Sequence, residues 1–106
     1  MNDENMAKGY WIAHVDVSDP EGYKEYQVAN AVAFRKYGGW FLARGGASEL
    51  LEGKQRSRHV IIEFKDYAAA LACYRSPEYA LAKEKRKGKG DMDLVVVEGY
   101  DGVQPG

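Results

Sequence analysis

Tyr10-Trp11-Ile12-Ala13-His14-Val15-Asp16-Val17, followed at once by Ser18-Asp19-Pro20-Glu21, decides the fold of this chain. The first stretch mixes aromatic and β-branched residues with alternating polar ones, the pattern of a β-strand. The second supplies an aspartate N-cap, a proline for the first helical position and an acid near the positive end of the helix dipole. A strand therefore hands over directly to a helix. Along that helix Tyr23, Tyr26, Asn30, Ala33, Phe34 and Tyr37 recur three and four residues apart and form one mostly aromatic stripe. Gly38-Gly39 closes it by tolerating a left-handed turn.

Outward from this unit, Trp40-Phe41-Leu42-Ala43 reads as a second strand. Gly45-Gly46 is expected to bulge or bend that strand before Glu49-Leu50-Leu51 resumes pairing. After the polar turn Glu52-Gly53-Lys54-Gln55-Arg56, His59-Val60-Ile61-Ile62-Glu63-Phe64 gives a third strand, and Asp66 caps a second helix that runs to about Arg75. Ser76-Pro77-Glu78 restarts or kinks this helix, because serine caps well and proline is favoured only at a helix start. Leu94-Val95-Val96-Val97-Glu98 is the fourth strand, reached through the polar connection Gly88-Lys89-Gly90-Asp91. The order βαββαβ with short loops is an α+β, ferredoxin-like plait, in which a four-stranded antiparallel sheet carries both helices on one face. The domain is expected over residues 8–100, with residues 1–7 and 102–106 as flexible tails.

Composition narrows the function. With 106 residues, 15 Lys+Arg against 16 Asp+Glu and a net charge of −1, the chain suits one core and has no overall field for nucleic acid or anionic lipid. Its one basic run, Lys83-Glu84-Lys85-Arg86-Lys87-Gly88-Lys89, is read as a solvated helix end. Cys73 is the only cysteine, which excludes an intrachain disulfide and a cysteine-rich zinc site and suits a small core residue in a reducing compartment. The polar, acidic start is unlike a signal peptide and no apolar run approaches the roughly 20 residues of a bilayer span. A cytoplasmic protein with no membrane or nucleic-acid partner is expected. No phosphate-binding loop, dinucleotide fingerprint, HExxH helix or Ser-His-Asp order is present, so those chemistries have no support.

Sorting strand residues by parity gives two faces. Trp11, Ala13, Val15, Val17, Phe41, Ala43, Val60, Ile62, Phe64, Val95 and Val97 form an apolar set that should meet the helices. Tyr10, Ile12, His14, Asp16, Trp40, Leu42, Arg44, His59, Ile61, Glu63, Leu94, Val96 and Glu98 form the other, half apolar and half ionisable. Water alone does not suit a face with so many large apolar side chains, so a second copy is expected to cover it as a two-fold dimer. The ionisable groups enclosed there make the candidate site. His14, Arg44, Glu63 and Glu98 are candidate catalytic residues, and Tyr10, Trp40, Gly45 and Gly46 join them as ligand-binding candidates. Arg44 offers a rigid five-donor fork for a carboxylate or enolate, beside glycines that let a ligand approach closely. Two readings stay open: these groups converge on a small polar or anionic metabolite, or Arg44 pairs with Glu63 or Glu98 and the network fixes dimer register. Two histidines, His14 and His59, lack a third ligand at metal spacing, so neither a metal nor a cofactor is expected.

Gly38-Gly39-Trp40-Phe41-Leu42-Ala43-Arg44-Gly45-Gly46, then Leu51-Glu52-Gly53, Ser76-Pro77-Glu78-Tyr79 and Val97-Glu98-Gly99 resemble domain-of-unknown-function family 1330 over about residues 8–100. The resemblance implies a ferredoxin-like subunit that pairs through its sheets as a dimeric α/β barrel. That is the superfamily architecture of antibiotic-biosynthesis monooxygenases, muconolactone isomerases and chlorite dismutases. It leaves the chemistry open, because a shared fold does not carry a shared reaction. The expected function is a small-molecule-binding or structural homodimer; the alternative is a cofactor-independent enzyme acting on a small acidic or carbonyl-bearing metabolite.

Overall fold

Strand β1 (Gly9–Val17) lies inside the sheet, paired antiparallel to β3 (Arg58–Phe64) on one side and to β4 (Gly90–Glu98) on the other. With β2 (Trp40–Arg44) antiparallel to β3, the order across the sheet is β2-β3-β1-β4. Helices α1 (Pro20–Tyr37), α2 (Tyr67–Tyr74) and α3 (Pro77–Lys85) complete the α+β, ferredoxin-like plait in this computed structural model, which describes residues 7–106. The expected loose segment at residues 1–7 falls, but for Ala7, outside the described residues. Residues 100–106 carry neither helix nor strand. Among the described residues no helix is long and apolar enough to cross a membrane.

The boundaries follow from local chemistry. The Asp19 carboxylate accepts from the Gly22 amide at 3.1 Å and Pro20 opens α1, which ends at Gly38 with φ at 74°. That left-handed turn suits glycine because it carries no Cβ to clash. Asp66 caps α2 by accepting from the Ala69 amide, and Ser76 does the same for Tyr79 at the start of α3. Trp11 is the hub of the core: its indole N–H donates to the Ala70 carbonyl at 2.8 Å, and the rings of Phe34, Phe64, Tyr74 and Tyr79 surround it with centroids 4.9–5.7 Å away. Cys73 is fully buried beside this cluster, and burial pushes its thiol up to about 12, which removes it from nucleophilic chemistry.

Three expectations need correction. Pairing does not resume at Glu49-Leu50-Leu51: residues 45–57 hold no strand, and Leu50 and Leu51 are exposed. Gly45, at φ 67°, turns the chain off the sheet after its amide makes a last bond to the His59 carbonyl at 2.8 Å. The bulge sits earlier, between Phe41 and Ala43. Finally, β4 starts at Gly90 rather than Leu94, because residues 90–93 continue the ladder against β1.

Candidate functional site

The bulge and the longer β4 redistribute the two faces. Phe41 pairs with Ile62, but Ala43 then stands opposite Ile61 and Arg44 opposite Val60. The extra residue therefore sends Ala43 to the open face and brings Arg44 to the helix face, reversing the expected parity. On β4, Val96 pairs with Trp11, Leu94 with Ala13 and Met92 with Val15. Met92, Leu94 and Val96 accordingly pack on the core, while Val95 and Val97 stay exposed on the open face. Glu98 shares the parity of Val96, lies opposite Gly9 at the strand end and points away from the open face.

Of the expected site residues, the open face keeps Tyr10, His14, Trp40 and Glu63, in two rows. Trp40, Glu63, Tyr10 and Val97 lie side by side across the strands, and the Tyr10 hydroxyl donates to Glu63 Oε2 at 3.2 Å. Burial first, then the Glu63 carboxylate, raises the Tyr10 phenol. One row further, Ala43, Ile61, Ile12 and Val95 align. In the next row, His14 and His59 meet through their Nδ1 atoms at 2.7 Å, one proton shared between two ring nitrogens. At the rim Arg56 reaches both Asp16 and Asp93. The Ser57 amide and hydroxyl also donate to Asp16 and, with the amide foremost, hold its carboxyl below the usual range. Arg44, Gly45, Gly46 and Glu98 do not join this assembly, and neither carboxylate pairs with Arg44. Among the described residues no three His, Cys, Asp or Glu side chains gather for a metal ion.

The helix face holds a different feature. Beneath α1 a cavity of about 30 Å³ lies between Tyr23, Tyr26 and Asn30 above and strand side chains below, including Arg44 and Arg58. That volume accommodates a water molecule or the end of a ligand. Arg44 heads the cross-strand row Val60, Ala13, Leu94, with its guanidinium 4.3 Å from the centre of the Phe41 ring. Arg58 heads the next row, Val15 and Met92, and rests against Gly45, where any side chain would collide with its guanidinium. Among the described residues neither arginine forms an ion pair. The Nε of Arg58 is buried without a partner, and so is the Oδ1 of Asn30, a residue only 6 % exposed. Burial pushes the Tyr23 phenol up to about 12, against a smaller opposing pull from Arg58, so Tyr23 is a neutral donor in this wall at ordinary pH.

Asn30, Arg58, Tyr23 and Gln27 were not among the expected site residues. Asn30 stood in the aromatic stripe as a core position, although an amide inside such a stripe needs hydrogen-bond partners that apolar neighbours cannot supply. Arg58 has the parity of Val60 and Ile62, which was the available signal that it faces inward.

Related structures agree on architecture. A protein of unknown function from Rhodopseudomonas palustris, RPA0582, superposes with a TM-score of 0.71 at 20% identity, covering 93% of this chain and 85% of that one. SnoaB, a cofactor-independent oxygenase from Streptomyces nogalater, gives 0.59 at 12% identity with 94% and 99% covered. A dimeric protein of unknown function with a ferredoxin-like fold from Bacteroides fragilis gives 0.57 at 12% identity with 86% and 95% covered. At these identities the likeness shows the fold alone. No curated protein matches the chain. The match that extends over residues 8–100 is to the domain of unknown function DUF1330, and the chain belongs to that family.

Proposed function

We propose that the protein is a small-molecule-binding homodimer, with the ligand held beneath α1 and the open sheet faces of two copies covering one another. The observation that carries the ligand site is the pair of unpartnered buried polar atoms, Asn30 Oδ1 and Arg58 Nε, on residues lining one apolar cavity. Leaving such groups unpaired costs about 1–3 kcal/mol each, more for a charge, and a bound molecule with matching polar groups removes that cost. The homodimer rests on Trp40, Leu42, Val95 and Val97, which stand exposed on one flat face. The dimeric state of the Bacteroides fragilis protein of the same fold supports this reading. Binding is favoured over proton-transfer catalysis because no imidazole or carboxylate lines the cavity among the described residues.

Native mass spectrometry of the purified protein, under gentle and then denaturing conditions, tests both parts. The expected result is a dimer that retains a defined small mass lost on denaturation. A monomer overturns the interface; a dimer that neither retains a mass nor gains one from a metabolite extract overturns the ligand site.

A further inference from the structure

We infer that the His14–His59 pair makes the association of two copies sensitive to acid, an inference that rests on the homodimer proposed above. These are the only two histidines of the chain. They stand side by side on β1 and β3, both half-buried, with their Nδ1 atoms 2.7 Å apart. At that distance one Nδ1 donates and the other accepts, so the contact carries one proton and excludes a second. Imidazole is the side chain that takes up a proton between about pH 8 and pH 5, the range in which that exclusion matters.

The pair lies within the surface that a second copy covers. The apolar row Ala43, Ile61, Ile12 and Val95 runs across the middle of the open face. On one side of it lies the row of Trp40, Glu63, Tyr10 and Val97, on the other that of His59, His14 and Asp93. Four strands about 4.8 Å apart and three rows about 6.8 Å apart span roughly 19 by 20 Å, near 400 Å² in projection. A stable dimer of ordinary size buries about 800 Å² on each partner. Leaving the histidine row out would cut an already small patch by about a third, so copies that cover the apolar row cover the histidines too.

The surrounding charges set the sign. Asp93 faces His14 from β4, Asp16 follows two residues along β1, and Arg56, from the segment between β2 and β3, holds both carboxylates. On the β2 side the His59 carbonyl meets Gly45, which has no side chain, and along β3 the next charge on this face is Glu63, held by Tyr10. The helices pack on the other face. In a lone subunit a second proton parts the rings, and the charged His14 turns toward Asp93 or water. Under a second copy the rings have no room to part, and a charge brought there loses its water. Acid therefore binds the separated subunits better than the dimer and by linkage pulls the dimer apart. With two such pairs per dimer, the dissociation constant can rise by at most about a hundredfold per pH unit.

Sedimentation velocity across a dilution series of the full chain at about pH 7.5, 6.5 and 5.5, at constant ionic strength, tests this above the range where ordinary carboxyls titrate. We expect a dimer at neutral pH whose dissociation constant rises at least about tenfold by about pH 5.5. In the double variant His14→Gln, His59→Gln, which has no imidazole, the constant should stay within about twofold over the same range. A wild-type dimer whose constant does not change overturns the inference and leaves the homodimer standing. Acid weakening that persists in the double variant overturns it as well, and a monomer at every pH overturns both readings. Imidazole NMR of the wild-type dimer keeps the test independent of whether the double variant folds. The two rings should take up one proton together and no second until the subunits separate; two rings that each titrate fully in the intact dimer overturn the inference.

Discussion

On the open face of the sheet Tyr10 is held by Glu63, His14 by His59, and Arg56 by Asp16 and Asp93. Beneath α1, Asn30 Oδ1 and Arg58 Nε have no partner among the described residues. Exposure of apolar groups runs the other way: Trp40 is 70 % and Val95 53 % exposed, while Trp11, Phe34 and Ile62 are buried. The contrast separates two kinds of unfinished surface. Apolar exposure framed by satisfied polar groups asks for another protein surface, which contributes area and needs few new hydrogen bonds. Unsatisfied polar atoms in an apolar wall ask for a small molecule, which brings the missing donor or charge with it.

The largest test of that contrast replaces one tryptophan on each face. Trp11→Ala removes the hub of the core and its bond to the Ala70 carbonyl, and should cost about 3–5 kcal/mol of subunit stability in urea denaturation. Loss of under 1 kcal/mol would mean that the ring cluster around Trp11 is not the centre of the core. Trp40→Ala on the open face should leave subunit stability nearly unchanged at dilutions where copies are apart. It should weaken self-association by about 2 kcal/mol, roughly 30-fold, as expected for a central aromatic anchor. Sedimentation velocity across a dilution series reads this directly, and unchanged association removes Trp40 from the interface.

A smaller effect, of unusual sign, distinguishes the cavity from ordinary core. Asn30→Leu replaces an unpartnered amide by an apolar side chain of similar size, so it should stabilise the ligand-free protein by about 1–2 kcal/mol. A residue kept at the expense of stability is one whose polar atom serves binding. Destabilisation by more than 1 kcal/mol in the same urea titration would show that Asn30 already has its partner in water and is structural.

How much of this was legible in the sequence depended on whether neighbouring residues carried independent signals. The strand-to-helix handover at residues 16–20 was readable because Asp19 and Pro20 each have one good place in a helix start. The face of β1 was readable because Trp11, Ala13 and Val15 alternate with His14 and Asp16. On β4, Leu94-Val95-Val96-Val97 is apolar throughout, so parity could be taken either way and only the ladder against β1 chooses. Arg44 was misplaced for a different reason. One bulged residue between Phe41 and Ala43 inverts everything after it, and the glycines that drew attention begin three residues later. The cavity under α1 stayed hidden because its polar groups come from α1, β2 and β3, and their lack of partners is a property of the packed structure.

The smallest expected effect concerns acid. Asp16, Glu25 and Glu78 all titrate below their ordinary values of 3.8, 4.5 and 4.5, held down chiefly by the Ser57 amide, by Lys89 and by Lys36 respectively. A carboxyl lowered by folding adds stability that is fully present above its ordinary value and is lost as pH falls through its folded one. The contribution of these three carboxyls should therefore stay constant from neutrality to about pH 5 and decline below the 3.8–4.5 range. All three carboxyls sit in exposed contacts, so the decline should be shallow, and salt should reduce the share that comes from Lys36 and Lys89. Asp16 behaves differently, because its first partner is a backbone amide whose hydrogen bond salt screens little. Thermal melts from pH 6 to pH 3, at low and at high salt, check the point on wild type and Asp16→Asn. If Asp16→Asn leaves the acid decline unchanged at high salt, the Ser57 cap contributes nothing, and the polar rim of the open face is held by Arg56 alone.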